Sequence, residues 1–126
     1  MNSFPAVPEP RLPHHRQLAK EIWEALGCKD ELTKRFILAT FMAIKVFDWK
    51  QGNYGPGNIQ AGGDPGVRLR LSDKAARLMN LLKQGKEPVD ETIEDTFGDC
   101  ANYGLIGLMC RWGWWPGVDA PVRVAK

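Results

Sequence analysis

Nine consecutive residues, Phe36 to Ile44, would be apolar on nearly every side of a helix, with Thr40 as the exception. Asp30 can cap this helix, and the helical pattern continues to Gly52. A helix that is apolar all round has to be covered on all sides. The sequence therefore predicts a buried helix, around which the rest of the chain packs.

Three further segments have the apolar periodicity of helices. They run from Arg16 to Leu26, from Val67 to Lys83 and from Asp90 to Arg111. No segment alternates convincingly between apolar and polar residues, as a half-buried strand would. We therefore predict an all-α fold, a bundle of four to five helices.

Proline and glycine divide the chain into regions. Residues 1–15 contain four prolines and are predicted to form an extended arm. Residues 51–66 contain six glycines and two prolines, which predicts a long loop without regular structure. The predicted regions are thus an arm at 1–15, a helical domain at 16–111 that includes the loop, and an irregular tryptophan-rich tail at 112–126.

Length and composition exclude several classes of protein. A chain of 126 residues, 44% of them hydrophobic, suits one domain, and its formal charge of +2 is too small to indicate nucleic-acid binding. Three cysteines without a C-x-x-C pair argue against a disulfide framework or a structural zinc site and for a reducing compartment. No segment has the length and polarity of a signal peptide or a membrane span, so we expect a cytoplasmic protein without a membrane partner.

Polar residues follow one another along one side of the fourth predicted helix. Glu91, Asp95, Asp99 and Asn102 fall within an arc of about 80° at helical spacing, and the same arc continues into Ile106. One interpretation is a solvated helix start, where acids suit the positive end of the helix dipole. The other is a group of carboxylates around a cation, because stacked carboxylates repel each other and Mg²⁺ prefers such oxygen ligands.

The third predicted helix carries a basic face made of Arg70, Lys74 and Arg77. These cations could hold the phosphate oxygens of a nucleotide while the glycine-rich loop brings backbone N–H groups to the same anion. Asp73, on the same face, either joins the metal ligands or pairs with a neighbouring arginine on the surface. Tyr54, in the loop, is a further candidate nucleotide contact. The loop matches neither the Walker A motif nor the dinucleotide motif G-x-G-x-x-G.

Three segments carry a resemblance to a known family. In chain order they read KQGNYG, RLRLSDKAARLMNLL and VDETIEDTFGDCANYGLIGL. They resemble a phage and bacterial family described as nucleotide-modification-associated, which looks related to the MazG-like nucleoside triphosphate pyrophosphohydrolases. The similarity covers roughly residues 32–108.

This resemblance implies a MazG-like helical bundle, usually dimeric, whose acids bind Mg²⁺ and help water to attack a phosphate chain. By position, Glu91 and Asp95 would be catalytic metal ligands, Asp99 a further ligand and Asn102 a polar contact. The protein would then work in the cytoplasm, that of the host if a phage encodes it.

One motif of the MazG-like enzymes is missing. They carry an E-x-x-E on the core helix before the acidic motif, whereas this chain has no acid between Glu31 and Asp48. Its only E-x-x-E, from Glu21 to Glu24, lies too far upstream. Three functions therefore stay open: a Mg²⁺-dependent pyrophosphohydrolase, a non-catalytic nucleotide-binding or sequestering protein such as a phage counter-defence factor, and a protein-interaction module.

Two features bear on partners. Trp112, Trp114 and Trp115 could anchor a protein partner, or they could pack the tail over the bundle. The apolar helix around residues 36–44, together with the loss of a polar face after Asp99, would leave apolar area exposed on a single chain. We therefore predict a homodimer with the buried helix near its two-fold axis.

Overall fold

The computed structural model describes residues 3–5, 13–88 and 90–122. Within these ranges it contains four helices and no strand: α1 (Pro13–Ala25), α2 (Leu32–Tyr54), α3 (Gly57–Gln84) and α4 (Ile93–Arg111). The prediction of an all-α fold is confirmed, and four of the predicted four to five helices lie within the described residues. Helix α1 packs on α2 and α3 packs on α4, while α2 also contacts α4. In the described part of the chain, no helix has both the length and the apolar character needed to cross a membrane.

Local hydrogen bonds explain where two of the helices begin. The Asp30 carboxylate accepts the N–H of Leu32 at 2.9 Å, so it caps the first turn of α2 as predicted. The Thr92 hydroxyl accepts the N–H of Asp95 at 3.0 Å, and α4 therefore begins at Ile93 rather than at residue 90.

The prediction that residues 51–66 lack regular structure is wrong. Helix α2 continues to Tyr54 and α3 begins at Gly57, ten residues before the predicted start. Within residues 51–66 the helical backbone is interrupted at two glycines with a positive φ, which is 66° at Gly55 and 56° at Gly63. The second break kinks α3, and Pro65 then lies in the first turn after the kink, where its missing N–H is tolerated.

The two ends of the chain differ in part from the predicted arm and tail. Helix α1 begins at Pro13, so the last three residues of the predicted arm are helical. Residues 1–2 and 6–12 of the arm and 123–126 of the tail lie outside the described residues. Residues 3–5 and 112–122 contain neither helix nor strand.

The buried core lies where the start of α3, the end of α4 and the tail meet. It consists of Ile59, Val67, Ile106, Cys110 and Trp115. The indole N–H of Trp115 donates to the carbonyl of Pro56 at 3.2 Å. Trp115 therefore packs the tail onto the bundle, whereas Trp112 and Trp114 stay exposed.

Helix α4 buries polar side chains in its first half and apolar ones in its second half, and it exposes several apolar side chains to solvent. Asp99 and Asn102 are buried, while Phe97, Leu105 and Leu108 are exposed. Helix α2 is also less covered than predicted, because Phe36 is 69% exposed and Ile44 57%. Within a single chain the prediction that α2 is buried is therefore wrong. Helices α1 and α4 pack on α2 but leave these two side chains uncovered.

Candidate functional site

A pocket opens between α2, the start of α3 and α4. Its polar side chains come from all three helices, and aromatic and aliphatic side chains form the rest of its wall. The polar residues are Lys50, Gln51, Asn58, Arg70, Asp99 and Asn102, and the others are Phe47, Tyr54, Ile59, Tyr103 and Ile106. We call this the aromatic pocket.

A second, more charged pocket adjoins the first. It is lined by Phe4, Val46, Lys50, Lys74, Glu91, Asp95 and Asp99. We call it the acidic pocket. Lys50 and Asp99 line both pockets, so the two pockets lie side by side.

Asp99 lies at the junction of the two pockets and is only 9% exposed. Lys50 donates to its Oδ1 at 2.9 Å, and the Lys74 ammonium lies 3.0 Å from its Oδ2. Burial by itself would raise the pKa of Asp99, but the hydrogen bonds from these two lysines outweigh burial and lower it. Asp99 is therefore a buried carboxylate held ionised by two cations from different helices.

Glu91 forms the second half of this charged network, although it precedes α4. Lys74 donates to its Oε1 at 2.7 Å, and the Thr96 hydroxyl approaches the same oxygen at 3.2 Å. Burial alone would lower the pKa of Lys74, yet its hydrogen bonds to Glu91 and Asp99 raise it. A protonated Lys74 thus occupies the space between these two carboxylates.

Arg77 fastens the segment before α4 onto α3. Its Nη2 donates to the backbone carbonyl of Glu91 at 2.6 Å, and its Nε lies 3.4 Å from the Thr96 hydroxyl. The predicted phosphate clamp is therefore engaged in holding the start of α4.

The four predicted metal ligands have different surroundings. Glu91 and Asp99 converge on Lys74, whereas one oxygen of Asp95 accepts the backbone N–H of Phe4 at 2.7 Å. Asp73 is exposed, and no ion pair involves it within the described part of the chain. Across residues 3–5, 13–88 and 90–122, no group of three histidine, cysteine or carboxylate side chains is placed to hold a metal ion. In this arrangement Glu91 and Asp99 are paired with lysines.

The predicted nucleotide contacts separate into two groups. Tyr54, Arg70 and Asn102 line the aromatic pocket, whereas Lys74 lies in the acidic pocket and Arg77 lines neither. The Arg70 guanidinium donates to the Asn58 carbonyl at 3.2 Å and lies 5.8 Å from the ring centre of Tyr103. The Asn102 amide donates to the Ala43 carbonyl at 3.1 Å, which ties α4 to α2.

Sequence reasoning missed Lys50, Thr96, Tyr103 and Phe4. Lys50 is a cation that follows the apolar centre of α2, and Thr96 lies between the predicted acids Asp95 and Asp99. The position of each in the sequence could therefore have indicated it as a site residue. Tyr103 lies next to the predicted contact Asn102. Phe4 had no such signal, because its contact with Asp95 spans 91 positions of the chain.

A family model described as "Nucleotide modification associated domain 1" matches residues 67–110. The matched segment covers about a third of the chain and contains every predicted site residue except Tyr54. No curated protein and no solved structure matches the chain.

Proposed function

We propose that this protein binds a nucleotide in the aromatic pocket. The observation that carries the proposal is the gathering of Tyr54, Arg70 and Asn102 around one pocket, with Lys50 beside them. These residues come from α2, α3 and α4, and helix packing alone does not require cations and tyrosines at the same opening. The family model that matches residues 67–110 supports the same class of ligand through its description.

The side chains of the pocket suit the two ends of a nucleotide. Tyr54 is 66% exposed at the rim, and Tyr103 lies inside. Both tyrosines offer an aromatic face on which a base can stack. Arg70 and Lys50 offer N–H donors to phosphate oxygens, and a guanidinium can do so with two parallel hydrogen bonds. Gln51 and Asn58 add amide groups that can donate to or accept from a base or sugar.

Binding without catalysis agrees better with the acidic pocket than Mg²⁺-dependent hydrolysis does. The carboxylates that the MazG resemblance assigns to Mg²⁺ are held by Lys50, Lys74 and the backbone of Phe4. The missing E-x-x-E points the same way. A protein that sequesters a nucleotide is therefore our main proposal, and pyrophosphohydrolase activity stays a prediction that the same experiment tests.

The test is a calorimetric titration with the common ribo- and deoxyribonucleoside mono- and triphosphates, with and without Mg²⁺, combined with chromatography of the products. We expect that at least one nucleotide binds and that no nucleotide is hydrolysed. For Arg70→Ala we expect about tenfold weaker binding, equivalent to about 1.4 kcal/mol. The loss should shrink at high salt, because screening already weakens a charged contact near the surface.

Arg68→Ala is the matched control, since Arg68 lies on the same helix but pairs with Asp64 outside the pocket. Equal affinities of parent and Arg70→Ala at low salt would remove the aromatic pocket as the binding site. Metal-dependent formation of a nucleoside monophosphate would instead support the pyrophosphohydrolase.

A further inference from the structure

Residues 3–5 lie against α4 at the acidic pocket. The N–H of Phe4 donates to Asp95 Oδ1 at 2.7 Å, and the Phe4 ring packs directly on Gly98. A Cβ atom at position 98 would overlap the ring, so only glycine allows this contact. Two independent features, a buried glycine and an aligned carboxylate, therefore hold Phe4 at one place on α4.

Phe4 belongs to the acidic pocket and not to the neighbouring aromatic pocket. It lines the acidic pocket with Lys74 and Asp95, whereas Lys50 and Asp99 line both pockets. A phosphate bound at Lys50 would thus lie at the junction. A longer phosphate chain that continues toward Lys74 would enter the space beside Phe4.

We propose that Phe4 determines how long a phosphate chain the site accepts. With Phe4 on Gly98, the site takes a nucleoside monophosphate and excludes the outer phosphates of a triphosphate. A triphosphate binds only when residues 3–5 leave α4. This inference rests on the proposed nucleotide binding, because it concerns which nucleotides enter that same site.

The size of the effect follows from the population of the displaced form. When a ligand binds only a minor form, its apparent affinity falls by the fraction of molecules in that form. If Phe4 is docked in about nine of ten molecules, its removal should strengthen triphosphate binding about tenfold. Monophosphate binding should stay within about twofold, because the aromatic pocket does not include Phe4.

The experiment compares Phe4→Ala and Gly98→Ala with the parent, as full chains in Mg²⁺-containing buffer. The probes are the mono- and triphosphates of the common ribo- and deoxyribonucleosides, and the quantity measured is the ratio of the two dissociation constants for each nucleoside. Gly66→Ala is the matched control, because Gly66 is helical and nothing lies within 4 Å of a Cβ at that position. In both test variants, but not in the control, we expect the dissociation constant of the triphosphate to fall about tenfold relative to that of the monophosphate.

Hydrogen exchange of the Phe4 amide measures docking without any nucleotide. We expect slow exchange in the parent and fast exchange in Gly98→Ala, because the added Cβ displaces the ring and with it the bond to Asp95. Should Gly98→Ala fail to fold, Phe4→Ala still supplies the ratio. If the parent binds nucleotides and both test variants keep the parent's ratio of dissociation constants, the role of Phe4 is overturned and the proposed function stands. If neither the parent nor any variant binds a nucleotide, the proposed function is overturned as well.

Discussion

At the scale of single residues, the ionised state of Asp99 depends on its two lysine partners. Two lysines hold this buried carboxylate ionised, and its lowered pKa means that folding stabilises the charged form. The unfolded chain then binds a proton more readily than the folded one. The resulting stability is present above about pH 4, the ordinary pKa of an aspartate, and is lost as the pH falls through the folded pKa.

We therefore expect Asp99→Asn to lower the free energy of unfolding by about 1–3 kcal/mol at pH 7, because Lys50 and Lys74 lose a charged acceptor. The difference from the parent should narrow below pH 4, where the parent protonates as well. Urea unfolding at both pH values measures it. Asp73→Asn, an exposed aspartate outside the ion pairs described above, should change little at either pH. A difference that stays constant with pH would contradict the role of the Asp99 charge.

Arg77 has a structural task where the sequence predicted a phosphate clamp. Its guanidinium holds the backbone before α4 and the hydroxyl of Thr96. We expect Arg77→Ala to lower the free energy of unfolding by about 1–3 kcal/mol, since the partly buried carbonyl of Glu91 and the buried hydroxyl of Thr96 lose a donor. Arg68→Ala, an exposed arginine of the same helix, should lower it by less than about 1 kcal/mol. Unchanged stability combined with weaker triphosphate binding would restore the predicted role.

At the scale of helices, the kink at Gly63 decides how α3 reaches the site. Its φ of 56° and ψ of −155° lie in a region that is nearly restricted to glycine. We expect Gly63→Ala to lower the free energy of unfolding by about 1–3 kcal/mol. Gly66→Ala, in regular helix on the other side of Pro65, should raise it by about 0.5–1 kcal/mol. Thermal unfolding followed by circular dichroism measures both, and equal melting temperatures for the two variants would contradict the requirement for glycine.

The helices were more predictable than their ends. Apolar periodicity located all four, because each buries a recurring side of its surface. It misjudged residues 51–66, since glycine composition does not reveal which glycines adopt a positive φ and which stay helical. The cap at Thr92 was readable, as a threonine followed three residues later by an acid, and it explains why Glu91 lies before α4.

The site was predictable where its residues share one helix and not where it depends on contacts between helices. The spacing of Asp95, Asp99 and Asn102 placed them on one side of α4. Because the same arc continues into Ile106, the spacing also indicated that this side passes beneath other structure. It did not reveal the lysines that α2 and α3 bring to Asp99. Whether these residues bind a nucleotide or Mg²⁺ stays a prediction.

At the scale of the whole molecule, the described residues leave an apolar face of α4 uncovered. Much of the outer face of α4 is apolar. That face consists of Phe97, Ala101, Gly104, Leu105 and Leu108, and the exposed Trp112 follows directly after the helix. None of these residues is charged.

This outer face of α4 leads us to expect a homodimer. A typical interface buries about 800 Å² on each partner. A two-fold axis beside α4 would let the same apolar face cover its own copy, and an apolar patch of this length is rarely left in water. The expectation from the sequence placed the axis near the α2 residues 36–44, and Phe36 and Ile44 of that segment are exposed as well.

Light scattering at micromolar concentration should therefore give about 28 kDa, twice the chain mass of 14.1 kDa. Leu105→Glu should shift the mass toward 14.1 kDa, because a carboxylate at the centre of the face would be buried without a partner. Leu69→Glu is the matched control, since Leu69 is an exposed leucine of α3 outside that face. A dimer lost equally in both variants would place the interface elsewhere. A monomeric parent would contradict the predicted homodimer and would mean that the apolar side of α4 stays in contact with water.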